Sequence, residues 1–126
     1  MNTSDHQLIR IKRIYEEYSE DDGYRVLVDR LWPRGVSKEE AGLDEWCKEI
    51  APTTELRKWF NHDPGKFEEF ANRYKGELIQ KEEEVNHLID KTEKQHVTLL
   101  YAAKDEDHNH ALVLKEFLNE QLTANN

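Results

Sequence analysis

Two runs in this chain are apolar on successive residues: 26–28, Val-Leu-Val, and 97–101, Val-Thr-Leu-Leu-Tyr. The first is followed at once by Asp29 and Arg30, the second after two alanines by Lys104 and Asp105. A strand that hides both faces reads this way, and such strands belong to parallel sheets covered by helices. Ile9, Ile11 and Ile14, with Arg10, Lys12 and Arg13 between or beside them, nearly alternate and predict a further strand whose pairing direction stays open.

Between these strands the punctuation is helical. Ser37 and Glu40 have capping-box spacing and start a short helix, after which Leu43, Trp46 and Ile50 continue at near-helical intervals. Thr53 and Thr54 cap a second short helix carrying Leu56, Trp59 and Phe60. Asp63-Pro64 is a start signal, and Phe67, Phe70, Ala71, Tyr74 and Leu78 then share one face. Gly76 predicts a break or bend between it and Gln80. Val85, Leu88 and Ile89 mark another amphipathic helix, and Ala111, Leu112, Leu114 and Leu118 the last. The pattern predicts an α/β fold: one domain over 9–122 with a small, mostly parallel sheet flanked by helices. Residues 1–8 read as a flexible N-terminus and 123–126 as a frayed tail.

Length and charge narrow the function classes. A chain of 126 residues is one domain by length. The single cysteine, Cys47, excludes an internal disulfide framework and fits a reducing compartment. No apolar run approaches the roughly 20 residues of a membrane span, and residues 1–7 are polar, unlike a secretory signal. The expected location is the cytoplasm. With 18 basic against 27 acidic residues the formal charge is −9, which disfavours nucleic acid as a partner.

The densest chemistry lies at 26–35, Val-Leu-Val-Asp-Arg-Leu-Trp-Pro-Arg-Gly. In open α/β sheets ligands bind beyond the carboxyl ends of the strands. After the first buried strand come Asp29, Arg30, Trp32 and Arg34; after the second come Tyr101, Lys104, Asp105, Asn109 and His110. Parallel neighbours would bring these segments together. Arg30 and Arg34 suit a carboxylate or phosphate because a guanidinium donates two bonds in one plane. Lys104 adds a point charge, and the start of the last helix adds free amides. Asp29 and Asp105 are candidate acids or bases, with Asn109 and His110 orienting a substrate. Equally, an arginine could pair with Asp29 and lock the loop.

Trp32, Trp46, Trp59 and Phe60 could wall such a pocket, although Trp46 and Phe60 read as core. His62 either points into the cleft or supports the Asp63 cap. His108 and His110 are two apart, so a helix would turn them in different directions, and no metal site is expected. Cys47 lacks a cationic neighbour and reads as a structural thiol. No Walker loop, dinucleotide fingerprint or nucleophile elbow is present, and the sequence leaves any cofactor unidentified.

Three stretches carry a family likeness: 22–35, 55–64, and 98–105 followed by Asn109-His110-Ala111. In that order they resemble the YeaO-like bacterial family, a domain of unknown function, across 9–118. The resemblance implies a small cytoplasmic α/β protein and carries over no activity. It adds Arg57, which lies in the second motif beside Trp59 and His62, and it leaves Cys47 outside the motifs. The expected function is a pocket for a small anionic metabolite or nucleotide, catalytic or derived from a catalyst. The alternative is a non-catalytic module that binds a partner protein or senses a ligand.

Overall fold

A computed structural model describes residues 8–124, so the expected flexible N-terminus, apart from Leu8, and the last two residues lie outside the described residues. Four strands form the sheet: β1 (Ile9–Arg13), β2 (Tyr24–Leu27), β3 (Glu45–Trp46) and β4 (Val97–Tyr101). Their order is β1-β4-β2-β3 and every neighbouring pair is parallel, β1 included. The helices are α1 (Lys38–Ala41), α2 (Thr54–Phe60), α3 (Phe67–Ile79), α4 (Glu82–Lys91) and α5 (His110–Ala124).

Strand pleating sends alternate residues to opposite faces. Ile9, Val26, Val28, Val97, Leu99 and Tyr101 join the main core, where Phe70, Tyr74, Leu78, Leu88, Leu114 and Leu118 from α3, α4 and α5 meet them. Each such leucine or valine, fully buried, contributes about 1.5–3 kcal/mol. The other face is thin: Ile14, Leu27 and Leu100 are covered by Ala41 of α1 and by Trp32, Val36 and Leu43.

That thin face also buries charge. Arg25 is 1% exposed. It donates from Nη2 to Ala41 O at 2.7 Å and from Nε to Gly42 O at 3.1 Å, and it pairs with Asp22. Lys12 reaches the same carboxylate at 2.9 Å, and Thr98 Oγ1 donates to Asp22 O at 2.6 Å. Burial alone would raise the Asp22 carboxyl; bonds from Lys12, the Ser19 amide and Arg25 outweigh it and hold the group below its ordinary value. Gly23, at φ 68°, lets the chain pass His96 closely: a Cβ there would lie 2.3 Å from the His96 carbonyl oxygen.

Two expectations change. The near-helical spacing of Leu43, Trp46 and Ile50 is not a helix: Gly42 adopts the left-handed conformation and stops α1, and Glu45 and Trp46 pair with Val26 and Leu27 as the edge strand. Trp46 is therefore 36% exposed, not core, with its ring edge-on to Trp32 at 5.4 Å. The break expected between Gly76 and Gln80 is there: helix α3 ends at Ile79 with Gln80 as its cap, and α4 starts at Glu82, while Asp63-Pro64 opens a 3-10 turn that leads into α3. Helix α5 runs on through Thr123 to Ala124, into the expected tail.

Removing one member of a buried ionic cluster strands the others. Asp22→Ala is expected to cost about 3–5 kcal/mol in denaturant titration. Because the folded carboxyl is depressed below 3.8, its stabilisation is full above that pH and is lost as pH falls through the folded value. Asp22→Asn should flatten this acid limb of the stability curve.

Candidate functional site

Parallel pairing of Leu27 with Leu100 places the residues after β2 beside those after β4. The contact is explicit: the Ala102 amide donates to Asp29 Oδ2 at 3.0 Å. Residues 29–31 and 102–105 therefore form one side of a cavity of about 960 Å³. The opposite side comes from the segment 51–54 and from α2, and the start of α5 closes the end.

The segment 51–54 is held by cations. Arg30 donates to Pro52 O at 3.3 Å and Ala51 O at 3.1 Å, and Lys81 donates to Ala51 O at 3.0 Å and Glu49 O at 2.6 Å. Burial, with Arg30 nearby, lowers the Lys81 ammonium below its ordinary value. Glu77 fixes the start of α2 by accepting from Thr53 N at 3.0 Å and Thr53 Oγ1 at 2.7 Å.

Four cationic side chains line the cavity, Arg30, Arg57, Lys58 and Lys104, against two carboxylates, Asp29 and Asp105. Among the described residues, none of these cations lies within 4 Å of a carboxylate. Arg57, Lys58 and Lys104 are exposed, whereas Arg30 is half-buried. Asp105 turns back on its own loop. It accepts from the Asp107 amide at 2.9 Å, the His108 amide at 3.1 Å and His108 Nδ1 at 2.9 Å. The Asp107 bond, above all, holds its carboxyl below the ordinary value.

Asp29 is bound through one oxygen only. Its Oδ1 is buried, and no described group makes a well-aligned hydrogen bond to it. His110 Nε2 lies 3.0 Å from that oxygen and 3.1 Å from Val28 O, with its N–H better aligned on the carbonyl. Asn109 is 2% exposed and caps α5: its Oδ1 accepts from Leu112 N at 3.0 Å and its Nδ2 donates to Asp105 O at 3.0 Å. On the rim, Asn61 and His62 both have positive φ, 47° and 54°. Asn61 is the left-handed cap of α2, but His62 is a second such residue in a row, a costly conformation for a side chain with a Cβ.

Of the residues read from sequence, Asp29, Arg30, Arg57, His62, Lys104, Asp105, Asn109 and His110 line this cavity, and Arg34, Trp32 and Tyr101 do not. Arg34 is exposed on a loop whose carbonyl accepts from Tyr15 OH at 2.9 Å. Trp32 lies on the thin face of the sheet and donates to Val36 O at 2.7 Å. Tyr101 points into the main core, and burial raises its hydroxyl. The lockdown of Arg30 comes from carbonyls, with no ion pair to Asp29. Among the described residues no three His, Cys, Asp or Glu side chains come close enough to hold a metal ion. Burial pushes the Cys47 thiol up to about 11, away from reactivity.

Sequence reasoning missed Thr54, Lys58 and Asn61, which share the cavity-facing side of α2 with Arg57. Their signal was present: 54, 57, 58 and 61 follow the i, i+3, i+4, i+7 pattern away from the buried Leu56.

A family model described as the inactive DUF488-N3 subclade matches residues 8–126. The chain is similar to the uncharacterised protein YeaO of Escherichia coli, 51% identical over 110 residues, 87% of this chain and 96% of that protein. Uncharacterised proteins of Mycobacterium bovis and Mycobacterium tuberculosis are 42% identical over 111 residues, 88% of this chain and 93% of theirs. No solved structure matches.

Substitutions at two residues separate scaffold from site. Asn109→Ala should cost about 1 kcal/mol of stability and lower Tm by about 4 °C, while Asn109→Asp should keep the cap. His62→Gly relieves the positive φ and is expected to raise stability by up to about 1 kcal/mol in denaturant titration.

Proposed function

This chain belongs to the inactive DUF488-N3 subclade, and we propose that it holds a small ligand bearing a phosphate or carboxylate in the cavity beyond β2 and β4 without transforming it. The observation that carries this reading is the charge of the lining. Four cations face two carboxylates in a chain of formal charge −9, and among the described residues those cations have no anionic partner. Guanidinium and ammonium groups left without a carboxylate around one concave surface complement an anion. The acidic exterior works against a polyanion such as DNA.

Binding rather than catalysis is supported by the engagement of the candidate acids. Asp105 is spent on its own loop, Asn109 on the helix cap, and Asp29 holds the Ala102 amide. The description of the matched subclade as inactive agrees. A partner-docking reading has less support, because Trp32 and Trp59 are not free anchors: Trp32 is tied to Val36 O, and Arg73 and Lys66 lie over the Trp59 ring. No helix among the described residues is long and apolar enough to cross a membrane. With its lone cysteine buried, a cytoplasmic setting is part of the same reading.

Calorimetric and thermal-melt titration with inorganic phosphate, sugar phosphates and small carboxylates tests it. A ligand at a hundred times its Kd should stabilise by about 2.7 kcal/mol. Lys104→Ala and Arg57→Ala should each weaken binding about tenfold, or 1.4 kcal/mol, with a further loss as salt rises. Lys75→Ala, remote on α3, should change nothing. Failure of every anion to bind the folded protein would overturn the reading.

A further inference from the structure

The inner end of the cavity differs in chemistry from its rim. His110 Nε2 faces two acceptors, Val28 O at 3.1 Å and Asp29 Oδ1 at 3.0 Å. In the neutral ring the proton therefore sits on Nε2 and the lone pair on Nδ1. Among the described residues nothing donates to Nδ1, and the ring lines the cavity. The ring lies edge-on to Tyr74 at 6.3 Å, and Tyr74 is itself anchored by its hydroxyl on Ile50 O at 2.7 Å. The inner end thus presents a hydrogen-bond acceptor.

Between that acceptor and the exposed cations the walls are apolar, built from Pro52, Phe60, Phe70, Ala102 and Ala103. A ligand that satisfied the whole surface would carry an N–H donor at one end, a body with apolar faces in the middle and an anion at the other. We propose that the pocket takes a free nucleoside monophosphate, its base N–H on His110 Nδ1, the base against the Phe60 and Pro52 wall, and its phosphate among Arg57, Lys58 and Lys104. A volume of about 960 Å³ has room for base, ribose and phosphate together. The free nucleotide is favoured over a nucleic-acid strand by the formal charge of −9, which repels a polyanion. Asp29 is a positioning residue here, since it acts on the ligand only through the tautomer of His110. This inference rests on the anion-binding reading above and assigns the rest of the ligand.

Calorimetry on the full chain with the four common ribonucleoside monophosphates, their nucleosides and ribose 5-phosphate separates the two ends. At least one monophosphate should bind tenfold or more tightly than ribose 5-phosphate. His110→Ala should reduce that monophosphate to the ribose 5-phosphate level, and His110→Gln, whose amide oxygen can accept, should recover part of the loss. Lys104→Ala should weaken both phosphates alike and spare the nucleoside. Ring ¹⁵N spectra of the wild-type protein should show an unprotonated His110 Nδ1 that shifts with the nucleotide and not with ribose 5-phosphate. Equal binding of ribose 5-phosphate and every nucleotide, or an unmoved Nδ1 signal, would overturn this inference and leave the anion site standing. Absence of binding by any phosphate would instead remove the reading beneath it.

Discussion

The ladder between β2 and β4 is the constraint on which the rest of the cavity depends. Its register, Leu27 opposite Leu100, delivers Asp29 next to Ala102, and the carboxylate–amide bond at 3.0 Å joins the two outgoing loops. From that join Arg30 is aimed at the carbonyls of 51–52, and His110 is drawn against Val28 and Asp29. Antiparallel pairing of the same strands would have sent the two loops to opposite ends of the sheet. The chemistry-bearing side chains would then be some four residues of strand apart.

The sheet is also lopsided, and the two faces do different work. The face covered by α3, α4 and α5 buries large aliphatic and aromatic side chains and supplies most of the hydrophobic stabilisation. The thin face substitutes a buried cluster of Lys12, Asp22 and Arg25, with Arg25 tying the end of α1 through its backbone carbonyls. Such a cluster adds little stability over an apolar replacement. Its geometry instead pins the loop before β2 and the end of α1 to one strand.

Much of the architecture was legible in the chain. Short unbroken apolar runs at 26–28 and 97–101 announced buried parallel strands, and capping signals at Ser37, Thr53 and Asp63 marked helical starts that all exist in some form. The misreading at Leu43, Trp46 and Ile50 has a clear cause. Apolar spacing alone does not distinguish a helix from an edge strand followed by a 3-10 turn, and the left-handed Gly42 decided between them. Most of the residues chosen from sequence share one cavity because strand ends in parallel sheets are a reliable place to look. Arg34 and Trp32 fall elsewhere because adjacency along a loop does not fix where a side chain points, and Tyr101 because it alternates with Leu100 and joins Leu99 in the main core.

What the sequence determined by itself was local: which segments are apolar on both faces, where helices begin, and which strand ends carry charge. Hydrophobic periodicity and capping are properties of neighbouring residues, so they survive in a one-dimensional reading. Tertiary structure decided the strand order, the parallel direction of β1, and the facing of α2 across the cavity from β2 and β4. It also decided that Asp105 and Asn109 serve the backbone, while His110 sets Nε2 against Val28 O and its ring lines the cavity. Those outcomes depend on hydrogen bonds between residues as far apart as Leu8 and Val97, which only the closed fold brings to 2.8 Å.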